Sequence, residues 1–162
     1  MRPKNQGIAD HRGGGPAGAA GGVCLAAIAM PASEVYVAFA RLATAHLGTV
    51  VGLSVGRVAD LRLAVDEACG QFLRGLTPFV GTPTVPLALR FDRTPEALRI
   101  TVSGPMPSEW PDRDSLSWLV LDTLVADACC KAGPPDGVGT LTFSERLGSD
   151  EASGDESWFA AP

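Results

Sequence analysis

What the sequence lacks narrows it first. No apolar run is long enough to cross a bilayer, and Arg2 and Lys4 are followed by glycines rather than by the apolar core of a signal peptide. The four cysteines, Cys24, Cys69, Cys129 and Cys130, form no Cys-x-x-Cys pair, and the histidines are only His11 and His46. Zinc-ligand spacing is therefore missing, and the cysteines read as thiols of a reducing cytoplasm. Basic runs are missing too. With 13 Lys and Arg against 18 Asp and Glu the formal charge is −5, which speaks against a nucleic-acid surface. The glycine run at 13–15 has no strand before it and no Gly-Lys-Ser/Thr after it, so it is not a phosphate-cradling loop.

What is present suits one domain with tails. Of the 162 residues, 46% are apolar, enough for a sizeable core. Residues 1–22 form a Gly/Ala/Pro-rich leader too poor in apolar side chains to pack, and 149–162 is acidic and reads as disordered, with Trp158-Phe159 as a sticky tip. The foldable part is 23–148. It opens with a short apolar strand, Val23–Met30, closed by Pro31. Ser33 stands at an N-cap and Glu34 in the first turn of a helix running to about Leu47 and ended by Gly48. That helix carries Val35, Phe39, Leu42 and Ala43 on one face, with Arg41 off it.

The most informative stretch follows. In 58–74, VADLRLAVDEACGQFLR, the residues Leu61, Val65, Ala68 and Phe72 recur at helical spacing and make a core stripe. Asp60, Glu67, Gln71 and Arg74 make a polar stripe, with Glu67 and Gln71 one turn apart. A carboxylate one turn before a side-chain amide can accept a proton beside a neutral metal or phosphate ligand. The same pattern also suits an ordinary solvated face. Ser54 is the candidate cap of this helix, and Gly75 its stop.

After a Thr/Pro/Gly-rich loop at 76–84 the period changes to two. Val85, Leu87, Leu89 and Phe91 face one way, Arg90 and Asp92 the other, and Leu98, Ile100 and Val102 alternate back after Thr94-Pro95-Glu96. This predicts a β-hairpin with one buried face. A proline-laden loop at 104–114 leads to a helix capped by Asp114 or Ser115, with Leu116, Leu119, Val120 and Leu124 on its apolar face. Cys129-Cys130 reads as two small residues closing that helix, or else as a redox-sensitive vicinal pair. After a turn at 133–137 comes a last strand with Leu141 and Phe143 inward. The order β-α-α-β-β-α-β predicts an α+β two-layer sandwich, helices on one face of a mostly antiparallel sheet.

This order, with Asp66-Glu67-Ala68 in the central helix and Gly139-Thr140 before the last strand, resembles the GHKL (Bergerat) ATPase fold. Within it, the run Ala59-Asp60-Leu61-Arg62-Leu63-Ala64-Val65-Asp66-Glu67 and the later Ser115-Leu116-Ser117-Trp118 are similar to the actinobacterial branch of the RsbW-type anti-sigma factors. These are serine-protein kinases of partner-switching systems. The resemblance implies that Glu67 is a general base toward a substrate serine and that Gln71 stands at a magnesium-binding asparagine position. It implies ATP or ADP, with magnesium, near Ser103, Gly104, Gly139 and Thr140. It makes Arg41 the contact to both an alternative sigma factor and a STAS-domain anti-anti-sigma factor, and it implies a cytoplasmic homodimer.

The sequence departs from that family at its nucleotide elements. Where the family has Asp-x-Gly-x-Gly, Val102-Ser103-Gly104-Pro105-Met106-Pro107 has no aspartate and a single glycine. Where a second glycine loop brings backbone N–H groups to phosphates, 112–117 has no glycine and carries Asp112 and Asp114. Gln71 is one methylene longer than asparagine, and magnesium tolerates little misplacement. The resulting expectation is an anti-sigma factor that sequesters its sigma factor and is relieved by a STAS-type partner, with a degenerate nucleotide site. The alternative is an active kinase of the anti-anti-sigma factor.

Overall fold

A computed structural model describes residues 22–74, 85–106, 112, 114–132 and 137–148. The readings made for the leader, for 75–84 (with Gly75 as helix stop), for most of 107–113, for 133–136 and for 149–162 lie outside the described residues.

The described chain is α+β. Five strands form one sheet: β1 (Val23–Met30), β2 (Leu87–Arg93), β3 (Ala97–Pro105), β4 (Ala126–Lys131) and β5 (Val138–Arg146). Their spatial order is β1-β2-β3-β5-β4, and every neighbouring pair is antiparallel. Three α-helices accompany it: α1 (Val37–Val50), entered through a 3-10 turn at Glu34–Tyr36, α2 (Val55–Leu73) and α3 (Leu116–Leu124).

The period-2 reading of 87–102 holds. Leu87, Leu89 and Phe91 of β2, Leu98, Ile100 and Val102 of β3 and Leu141 and Phe143 of β5 are all buried on one face. Against them lie Leu61, Ala64, Val65, Ala68 and Phe72 of α2, with Trp118 and Leu121 of α3, in a single core. Burying side chains of this size is worth roughly 1.5–3 kcal/mol each. The helix starts follow their caps. Ser54 accepts a hydrogen bond from the Arg57 N–H at 3.4 Å, and Ser115 from the Trp118 N–H at 3.3 Å.

Four expectations need correction. On α3, Leu116 and Leu119 are exposed, and Trp118 and Leu121 take the buried positions instead. The stripe Val35, Phe39, Leu42 of the 3-10 turn and α1 faces outward, at 80%, 53% and 66% exposure, while Val37, Ala40, Thr44 and Gly48 are buried. Small residues let α1 lie close to α2: a Cβ at Gly48 would stand 3.2 Å from Val58 Cγ2. Gly48 therefore packs the helix and does not end it. The stop is Gly52, at φ +88, with Leu53 N–H donating to Gly48 O and Gly52 N–H to Thr49 O, the paired bonds of a Schellman ending. Finally, Cys129 and Cys130 do not close a helix. α3 ends at Leu124, and both cysteines lie in β4, an additional edge strand that pairs Cys129 with Thr142 and Cys130 with Leu141.

Candidate functional site

α2 positions most of the polar groups of interest because its two stripes separate. Leu61, Val65, Ala68 and Phe72 are fully buried, which turns Asp66, Glu67, Gly70 and Arg74 toward the N-terminal end of α1. Between the two helices runs a cleft of about 400 Å³, lined by Glu34, Arg41, Asp66, Glu67 and Arg74 and floored by Val37, Ala38, Gly70 and Leu73.

Two ion pairs cross or edge this cleft. Arg41 Nη1 donates to Asp66 Oδ1 at 3.1 Å, both side chains about two-fifths exposed. Glu67 Oε1 accepts from Arg74 Nη2 at 2.5 Å and from Gln71 Nε2 at 3.2 Å. Arg74 Nη2 also donates to Ser117 Oγ at 2.6 Å, tying the end of α2 to α3. Gln71 is buried, not part of a solvated face. Behind the polar row, burial pushes the Cys69 thiol up to about 12, with the Asp66 charge adding to the effect. Cys69 thus stays a neutral thiol and packs as a small apolar residue.

The residues singled out from the sequence fall into three places. Glu67 and Gln71 are in contact, and Arg41 lies across the same cleft but pairs with Asp66. Ser103, Gly104, Gly139 and Thr140 come together at the meeting of β3 and β5, where Ser103 is opposite Thr140 and Gly104 opposite Gly139. Gly104 and Gly139 are buried on the helix side, whereas Ser103 and Thr140, one residue out of phase, belong to the other face of the sheet.

Two of the residues that the resemblance assigns to a magnesium–nucleotide group are already engaged by other side chains. Glu67 already carries a guanidinium counter-ion, and a Cβ at Gly104 would stand 3.0 Å from Phe72, so the ring fills the space next to that glycine. Among the described residues no three His, Cys, Asp or Glu side chains gather as a metal site.

Sequence reading missed one charged group altogether. Glu145 of β5 is 1% exposed, and its Oε1 is bound by Arg57 of α2, with Nε at 2.6 Å and Nη2 closer still. Its Oε2 is buried without a hydrogen-bond partner. The two residues are 88 apart in sequence, beyond any local pattern. Arg74, by contrast, was visible on the polar stripe two turns after Glu67. No described helix is long and apolar enough to cross a membrane. Compared with known proteins, the chain matches no family model and no curated protein.

Proposed function

We propose that this chain is a protein-binding antagonist of the anti-sigma type: its first helix grips an alternative sigma factor, and a STAS-domain anti-anti-sigma protein competes for the same surface. One observation carries the reading. The 3-10 turn and α1 together turn Val35, Phe39 and Leu42 to solvent about one turn apart, with Arg41 beside them at the mouth of the Glu67 cleft. Such an amphipathic face, with a charged group at its edge, suits docking of a partner's helix through apolar anchors. The likeness of 59–67 and 115–118 to RsbW-type sequences supplies the class of partner, and the α+β sandwich is compatible with their GHKL fold.

Phosphate transfer is not part of this reading. A general base must reach the proton that it removes, and Glu67 is held by Arg74 and Gln71. Binding through α1 needs neither ATP nor magnesium.

The test is co-expression of the tagged chain with each alternative sigma factor of its own genome. One of them is expected to co-purify in equal amount, with capture falling about tenfold or more in Phe39→Ala/Leu42→Ala and in Arg41→Glu, as for the loss of a central anchor. Capture of none, or equal capture by all three forms, would overturn the proposal.

A further inference from the structure

The face of the sheet turned away from the helices has an unusual composition. Strand register sorts its side chains into rows across the strands. One row is Cys24, Asp92, Arg99, Ser144 and Ala126. The next is Ala27, Arg90, Thr101, Thr142 and Cys129, and the third is Ala29, Ala88, Ser103, Thr140 and Lys131. Arg146 follows beside Ala97.

The residues other than the charged ones are all small, so this face is low and broad. Four cations, Arg90, Arg99, Lys131 and Arg146, stand against the single carboxylate Asp92, which pairs with Arg90 at 2.8 Å. These rows therefore carry net +3, which Glu96 and Asp127 at the edge of the face lower to +1, on a chain of net −5. Arg99 and Arg146 open onto a cleft of about 620 Å³ together with Ser144, with Glu96 and Asp127 also among its lining residues. Among the described residues neither arginine has an ion-pair partner.

Directly after β5 the sequence turns strongly acidic. Residues 149–162 contain Asp150, Glu151, Asp155 and Glu156 with no Lys or Arg, followed by Trp158 and Phe159. This segment departs from Arg146, which is itself one of the two open arginines. Ten residues from Gly148 to Trp158 reach up to about 33 Å. Five strands spaced by about 4.8 Å make a sheet only about 19 Å across.

We propose that segment 149–162 docks on the open face of its own sheet. Its carboxylates meet Arg99 and Arg146, and Trp158 and Phe159 lie over the small side chains of the second and third rows. The occupant is identified by opposite charge, by the point of departure and by reach. Small side chains leave room for two aromatic rings where large ones would not. Local tethering makes the encounter intramolecular, so a weak individual contact suffices. This face is separate from the α1 surface, so the inference stands independently of the proposed partner.

The exposed Cys129 lies in the second row and reports on coverage. The experiment is alkylation of the full-length protein by iodoacetamide, followed residue by residue by mass spectrometry. Cys129 should react about fivefold faster in Asp150→Asn/Glu151→Gln/Asp155→Asn/Glu156→Gln than in the unaltered chain, and about as fast in that chain at about 0.5 M NaCl, where charge attraction is screened. Trp158→Ala/Phe159→Ala changes no charge and should give the same gain, which separates coverage from a shift in thiol reactivity. Arg99→Ala/Arg146→Ala should do likewise. Equal Cys129 rates in all these forms would overturn the proposal. So would protection that survives the acidic-segment variants but fades on dilution, since a second copy would then be the cover.

Discussion

Two arginines of one helix hold two carboxylates, and the two pairs differ in what lies around them. Arg57, near the start of α2, reaches the carboxylate of Glu145, whose side chain is 2% exposed. Arg74, just past its end, reaches Glu67, which is 27% exposed and edges the cleft. The first pair joins the helix to the sheet through a dry carboxylate, with the Arg57 side chain half exposed. The second lies open to whatever enters the cleft. A buried carboxylate that loses its partner keeps its desolvation cost, whereas an exposed one regains water. The same residue pairing is thus a structural tie at one end of α2 and an adjustable contact at the other.

The largest expected effect removes the partner of the buried carboxylate. Arg57→Ala should lower unfolding free energy by about 3 kcal/mol, and Arg74→Ala by less than about 1 kcal/mol. Denaturant titration of both variants measures this; equal losses would erase the distinction between the two ends. Next comes Gly104→Ala, which pushes a methyl into the Phe72 ring. Overpacking of this kind should cost about 1–3 kcal/mol by the same measurement, and a neutral outcome would mean that the ring has room to give.

Cys69 tests how dry the core side of the cleft is. Its thiol is raised in the folded chain to about 12 from an ordinary 9.0. Between those values the unfolded chain has lost the thiol proton and the folded chain keeps it, so stability must fall as pH rises. At pH 10 the loss should be on the order of 1 kcal/mol relative to neutral pH. Cys69→Ala should remove that part of the alkaline slope; an unchanged slope would mean that the thiol is hydrated. The smallest effect belongs to α1. Phe39→Ala and Leu42→Ala should each shift stability by no more than about 0.5 kcal/mol, because neither side chain is buried. A larger loss would place these residues in the core.

The contrast between α1 and α2 also shows how far the sequence could be read. The α2 stripe was legible because large apolar residues repeat at its buried positions, and the hairpin because Leu87, Leu89, Phe91, Leu98, Ile100 and Val102 alternate with polar or small residues. On α1 the same rule points the wrong way. There the buried positions are Ala40, Thr44 and Gly48, chosen for close approach, and the large apolar residues face out. β4 was hidden because ADACCK has no alternation of large apolar residues, and its pairing is broken by a register shift next to Asp127, at φ 55. Within the candidate site, Glu67, Gln71 and Arg74 share one helical stripe and were visible together. The Asp66 partner of Arg41 and the Ser117 contact of Arg74 depend on how helices pack, which no local period encodes.

The open end of α2 carries the main functional distinction, because Arg74 occupies Glu67 where a kinase would need a free base. Calorimetric titration of the full-length protein with ATP and magnesium tests it most directly. No heat of binding at millimolar nucleotide is the expected result. Magnesium-dependent binding in the micromolar range, lost in Glu67→Ala, would contradict it and return the site to phosphate transfer.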